Sequence, residues 1–173
     1  MTFQKALCLF LLSAVTLAGA GDIPRAAPVL EGKTIDGKAI ALSQLKGKVV
    51  GVFFFSTDCP HCQHTTETVL VPAYAEMQSK GLEILGMAVN PSAATNLQAF
   101  AERFSAAFPM ALSKTADMYR FVGESMMRRL GVPHLVLVDR QGQIRADYPS
   151  SDRAFWQSQE ASIPKAFEAL LSN

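Results

Sequence analysis

Cysteine is scarce in this chain, and the scarcity narrows the chemistry. Three cysteines occur in 173 residues, and Cys8 lies inside an N-terminal apolar run. Cys59 and Cys62 are the other two. A secreted scaffold stapled by disulfides carries several spaced pairs, so that class is excluded. Two cysteines separated by two residues close a tiny loop and constrain the unfolded chain very little. A second C-x-x-C is missing, which excludes a four-cysteine zinc site. An excess of either charge is missing too. The 16 basic residues face 15 acidic ones, with no basic run and no interleaved aromatic stripe. Nucleic acid and charged membrane surfaces are therefore not expected partners. No internal repeat or low-complexity segment interrupts the sequence.

What is present is apolar and patterned. Apolar residues make up 49% of the chain, a globular composition. Lys5 precedes "ALCLFLLSAVTLAGA", which ends in Ala18-Gly19-Ala20. The run is short of the roughly 20 residues of a membrane span. A basic start, an apolar centre and a small-x-small end read as a secretory signal peptide over 1–20. A retained N-terminal anchor is the alternative. Without Lys5 the basic count drops from 16 to 15, equal to the acidic count. The mature protein is then expected outside the cytoplasm, periplasmic or otherwise extracytoplasmic, and free of the membrane. Residues 21–27 read as a linker and 28–173 as one domain.

Periodicity divides that domain. Asp36-Gly37 in "KTIDGKAI" marks a hairpin turn. "VVGVFFF", residues 49–55, is a β-favouring run with no polar face, as in a strand buried on both sides. Val69, Leu70, Ala73, Tyr74 and Met77 fall at helical spacing, with Pro72 predicting a kink and Gly81 an end. "LEILGMAV" is a second buried strand. Leu97, Phe100 and Phe104 line a helix face. "FPMAL" predicts an edge strand, since its proline cannot donate to a ladder. "ADMYRFVGESMMRRL" reads as helical, "HLVLVD" and "IRADY" as a hairpin about "RQGQ". Ile163, Ala166, Phe167 and Leu170 mark a final helix. Strands alternating with helices give an α/β fold, a sheet with helices on both faces. The cysteines then fall where a central strand ends and a helix begins, the usual place for reaction sites in such sheets.

That position suits thiol chemistry. The thiolate is the nucleophile in disulfide exchange, and a helix start favours negative charge. Cys59 at the N-cap meets unpaired N–H groups, and Pro60 fits N1, where an N–H is not needed. Cys62 comes one turn later, placed to attack a mixed disulfide on Cys59. His61 adds polarity or charge beside the thiolate, which stabilises the reduced form and makes the disulfide more oxidising. Far along the chain, Val132-Pro133 stands at a strand entry. A cis bond there leaves the Val132 backbone free to pair with an extended substrate, with His134 beside it.

"IDGKAIALSQLKGKVVGVFFFSTDCPHC", "KGLEILGMAVN", "FPMALS" and "LGVPHLVLVDRQGQI" cover most of 28–148. Together they resemble thioredoxin-fold proteins of the TlpA/ResA group, relatives of the AhpC/TSA redoxins. The resemblance implies a thioredoxin-like fold: a central mixed β-sheet flanked by helices, an N-terminal β-hairpin, and an inserted strand–helix unit at about 66–100. It also implies an exported thiol–disulfide oxidoreductase that acts on protein thiols or disulfides with a redox partner protein and without a cofactor. Cys59, Cys62, Pro60, His61 and Pro133 are its expected catalytic residues, and Val132 and His134 its expected substrate contacts. Two positions depart from the pattern. Asp58 stands where the group usually has Trp, and Thr65 where reductant members often have Glu. The Pro-His dipeptide is similar to that of DsbA-type oxidants.

Other readings share these residues. A peroxiredoxin-like peroxidase would oxidise Cys59 to a sulfenic acid that Cys62 resolves. Its usual Thr three residues before the cysteine is here Ser56. A copper or zinc module would use Cys59, Cys62 and His134, since thiolates and imidazoles suit both metals. Otherwise no metal site is expected. His64 reads as a surface histidine. Asp58 and Glu67 read as surface charges at a helix start, with a proton-acceptor role for Cys62 as the alternative. Phe53, Phe54 and Phe55 read as core, and Trp156 as packing near the last helix.

Overall fold

The computed structural model describes residues 22–172. The signal-peptide expectation for 1–20 lies outside the described residues. Eight strands form one sheet, in the order β1-β8-β7-β4-β5-β6-β2-β3. The central strand β4 (Val49–Phe55) is buried at every position. It runs parallel to β5 (Leu82–Ala88) on one side and antiparallel to β7 (His134–Val138) on the other.

Side chains alternate across a strand, so the apolar run of β4 feeds two cores. Val49, Phe53 and Phe55 pack with α2 (Val71–Met77), α3 (Ala93–Arg103) and α6 (Gln159–Leu171). Phe55 meets Phe100 of α3 with ring centroids 5.0 Å apart. Val50, Val52 and Phe54 pack on the other face with α4 (Thr115–Val122), where Phe54 meets Phe121 at 5.7 Å. Gly51 admits α6 to the sheet, because a Cβ there would sit 2.8 Å from Phe167 Cε1.

The N-terminal hairpin pairs β2 (Glu31–Thr34) with β3 (Ala39–Ala41), and Gly37 takes a positive φ in its turn. Within 66–100, β5 pairs with all seven residues of β4.

Five expectations change. Residues 21–27 are not only a linker. Arg25–Ala26 form β1, which pairs with β8 (Gln143–Tyr148) and closes that flank of the sheet. β6 (Met110–Leu112) is not an edge, because β2 pairs on its outer side. Pro109 lies just outside β6 and contributes only its carbonyl, to Gly86 N–H. The helix expected over 116–130 stops at Val122, where Gly123 takes the left-handed conformation. The kink at Pro72 is a π turn over Thr66–Leu70, between α1 (Pro60–Thr65) and α2. Proline cannot donate to the preceding turn, and a wider turn absorbs the loss. The last helix is preceded by a short one the periodicity did not show, α5 (Arg153–Gln157).

Candidate active site

Cys59 caps α1 immediately beyond the C-terminal end of β4. Its φ and ψ are extended, and its sulfur accepts from the Cys62 N–H at 3.2 Å. Pro60 occupies the first helical position. Both cysteines are free thiols, Cys59 half-buried and Cys62 fully buried. This difference in burial divides their chemistry. The Cys62 thiol donates to the Cys59 sulfur, and with help from the Cys62 and His61 N–H groups it lowers the Cys59 pKa to about 6, against the opposing effect of burial. Cys62 shifts the other way, because burial penalises its thiolate and its proton is engaged by Cys59.

The loop before Cys59 is held by residues the sequence did not single out. Asn90, just after β5, accepts from Thr57 N–H at 3.0 Å and donates to Thr57 Oγ1 at 2.8 Å. Gln63 of α1 donates to the Thr57 carbonyl at 2.8 Å. Asp58 is exposed and accepts from Ser92 and from Asn90 and Asn96. The Ser92 hydroxyl, followed by the two amides, keeps its carboxyl below the usual range. Asp58 thus faces the α3 start.

Thr65, where a Glu is often found in reductants, is fully buried. Its hydroxyl lies 2.9 Å from the His61 carbonyl and 2.6 Å from the Gln159 side chain. One hydroxyl proton serves one acceptor, so both contacts are met when Thr65 donates to His61 and the Gln159 amide turns its NH₂ toward Thr65. His64 pairs with Glu160 at 3.1 Å on the surface, tying α1 to α6. Glu67 is exposed.

His61 is exposed, and its ring lies 5.5 Å from that of Trp156, nearly perpendicular to it. Trp156 was expected only to pack near the last helix. No sequence pattern links it to His61, because α5 reaches the site from 95 residues away.

The Val132–Pro133 bond is cis, as the layout predicts. Pairing of β7 with β4 starts at His134, which leaves the Val132 backbone outside the ladder. His134 does not fit the expected place beside a substrate. The residue is 1% exposed, its Nε2 lies 2.5 Å from Asp147 Oδ1, and its ring meets Phe54 edge-on. Alternation along β7 turns it toward the α4 core, whereas Cys59 packs with the opposite one. The copper or zinc reading needs His134 beside the cysteines and fails on that geometry. Among the described residues no three His, Cys, Asp or Glu side chains converge to hold a metal ion. A surface hollow lined by Thr34, Asp36, Gln98 and Met110 includes neither cysteine. Exchange at a surface sulfur needs no enclosed cavity.

Comparison with known proteins agrees with this layout. A family model described as AhpC/TSA matches residues 23–147. The thiol-disulfide oxidoreductase ResA of Halalkalibacterium halodurans is 29% identical over 110 residues, 64% of this chain and 58% of that protein. The chain thus spans less than two thirds of that relative. A thiol:disulfide interchange protein of the thioredoxin family from Chlorobium tepidum superposes with a TM-score of 0.71 at 25% identity. That match covers 86% of this chain and 97% of the other. The thioredoxin domain of a thiol-disulfide oxidoreductase from Bacteroides vulgatus gives 0.62 at 25% identity, over 84% and 97% of the two chains. The fold is thioredoxin-like.

Proposed function

The chain belongs to the AhpC/TSA family, and on that premise we propose that it is an exported thiol–disulfide oxidoreductase, exchanging disulfides with protein substrates through Cys59 and Cys62. The observation that carries this reading is the asymmetry of the pair. One sulfur is accessible and readily ionised, and the other is buried and held protonated. A nucleophile and a resolving thiol need that division.

In the donating direction a substrate thiolate attacks the Cys59 sulfur of the Cys59–Cys62 disulfide. The S–S bond breaks, and Cys62 leaves with the electron pair and takes up a proton. A second substrate thiolate then attacks the substrate sulfur of the mixed disulfide, and Cys59 leaves as thiolate. The substrate has lost two electrons and the cysteine pair has gained them. Reduction of a substrate is the same path reversed. The low pKa of Cys59 makes it a good leaving group and stabilises the dithiol, so the balance leans toward donation. Val132, free of the ladder beside the cis bond, supplies the edge on which an extended substrate pairs. A redox partner protein restores the starting state. Export rests on the apolar run and small-x-small end over residues 1–20.

The reduction potential tests this reading. Thiol alkylation and mass spectrometry across graded glutathione buffers should give a value near the oxidising end, about −120 to −180 mV. A value near about −270 mV would reverse the direction. A pair that never forms a disulfide would overturn the function.

A further inference from the structure

Trp156 is the only tryptophan in the chain, and it is 4% exposed. It is held on several sides. Its indole N–H donates to the Pro149 carbonyl at 2.8 Å. Phe155 stands perpendicular to it at 5.3 Å and is itself stacked on Tyr148 at 3.7 Å. Asp152 caps α5 by accepting from the Phe155 N–H at 3.1 Å. The end of β8 and the whole of α5 thus fix one indole ring. On that ring rests His61, the exposed residue between the two cysteines.

An exposed imidazole on a helix's first turn samples several rotamers. Perpendicular contact with a fixed indole selects one, and a tryptophan face also attracts a cationic ring. His61 is expected, from its place between the two cysteines, to act on Cys59 by charge and polarity, and such an effect depends on where its ring is held. We propose that Trp156 is a positioning residue that orients His61 and thereby makes the Cys59–Cys62 couple more oxidising. This rests on the functional reading above, since it concerns the same couple.

The reaction that reads it is balanced: the protein disulfide and two glutathione thiols give the dithiol and one glutathione disulfide. Trp156→Leu removes the ring contact. It should shift this equilibrium at least about fivefold toward the protein disulfide, and Trp156→Phe should restore most of the difference. In a His61→Ala background Trp156→Leu should cause no further shift, because the two act through one contact. An unchanged equilibrium in Trp156→Leu, or an equal shift with and without His61, overturns the proposal.

Should Trp156→Leu fail to fold, the parent protein supplies a second readout. Its only tryptophan should change emission between dithiol and disulfide forms, and His61→Ala should abolish most of that change. Emission indifferent to redox state, or to His61, is equally fatal. These failures differ from failure of the function itself, in which no disulfide forms in the parent protein.

Discussion

Cys62 holds the Cys59 sulfur twice, through its backbone N–H at 3.2 Å and through its own thiol. One residue thereby supplies both the sulfur proposed to resolve the mixed disulfide and the largest cause of its partner's low pKa. The proposed nucleophile is made acidic mainly from within the motif.

Cys62→Ala should therefore leave a less acidic nucleophile. Alkylation of Cys59 in the parent protein should rise with pH about a midpoint near 6. Without the Cys62 thiol that midpoint should move upward by at least about one unit, since a bond to the charged form is lost. An unmoved midpoint would assign the acidity to the helix start alone. Cys59→Ser should abolish exchange, read as turnover of a disulfide substrate.

The pH dependence of stability follows from the same shift. Cys59 titrates lower in the folded dithiol than in the unfolded chain, about 6 against 9.0. Its ionised form thus stabilises the folded dithiol above the unfolded value, and this contribution fades as pH falls through about 6. Cys62 shifts upward and stays protonated across that window. The disulfide form lacks both titrations. Urea midpoints of the two forms should therefore diverge in favour of the dithiol between pH 5.5 and 8. A constant gap would refute the lowered pKa.

Thr65→Val should destabilise the fold by about 1–3 kcal/mol, because it strands the buried Gln159 amide and removes the bond to the His61 carbonyl. Chemical denaturation of the dithiol form measures it. A loss below about 0.5 kcal/mol would mean Gln159 finds another partner.

Gly51→Ala tests the packing of α6. The new methyl meets the Phe167 ring at 2.8–2.9 Å, so helix or ring must yield, at a cost of about 1–3 kcal/mol. The reduction potential of the folded fraction should not change, as Gly51 touches no part of the site. Undiminished thermal stability would show that α6 adjusts freely.

The cysteine pair and the central strand were legible because each is a local signal, whereas the cis bond was expected from the layout around Val132-Pro133. A continuous apolar run marks a strand buried on both faces, and the spacing of Cys59 and Cys62 puts both on one helical turn. The failures were of partner and of facing. "FPMAL" has an edge-like proline, yet whether a strand is an edge depends on what lies beyond it, here β2. His134 follows Pro133 in sequence, but alternation along β7 sends it into the opposite core.

Sequence alone was enough to place the groups of the candidate site: two thiols at a helix start, one capping it and one a turn inside, with an imidazole between them. Short-range geometry sets those relations, whatever surrounds them. Tertiary structure decided what surrounds them. It buried one thiol fully and the other only in part, joined Thr65 to Gln159, and brought Trp156 onto His61. Such contacts span more than ninety residues, and only the packing of α5 and α6 against the sheet and the cysteine-bearing helix creates them.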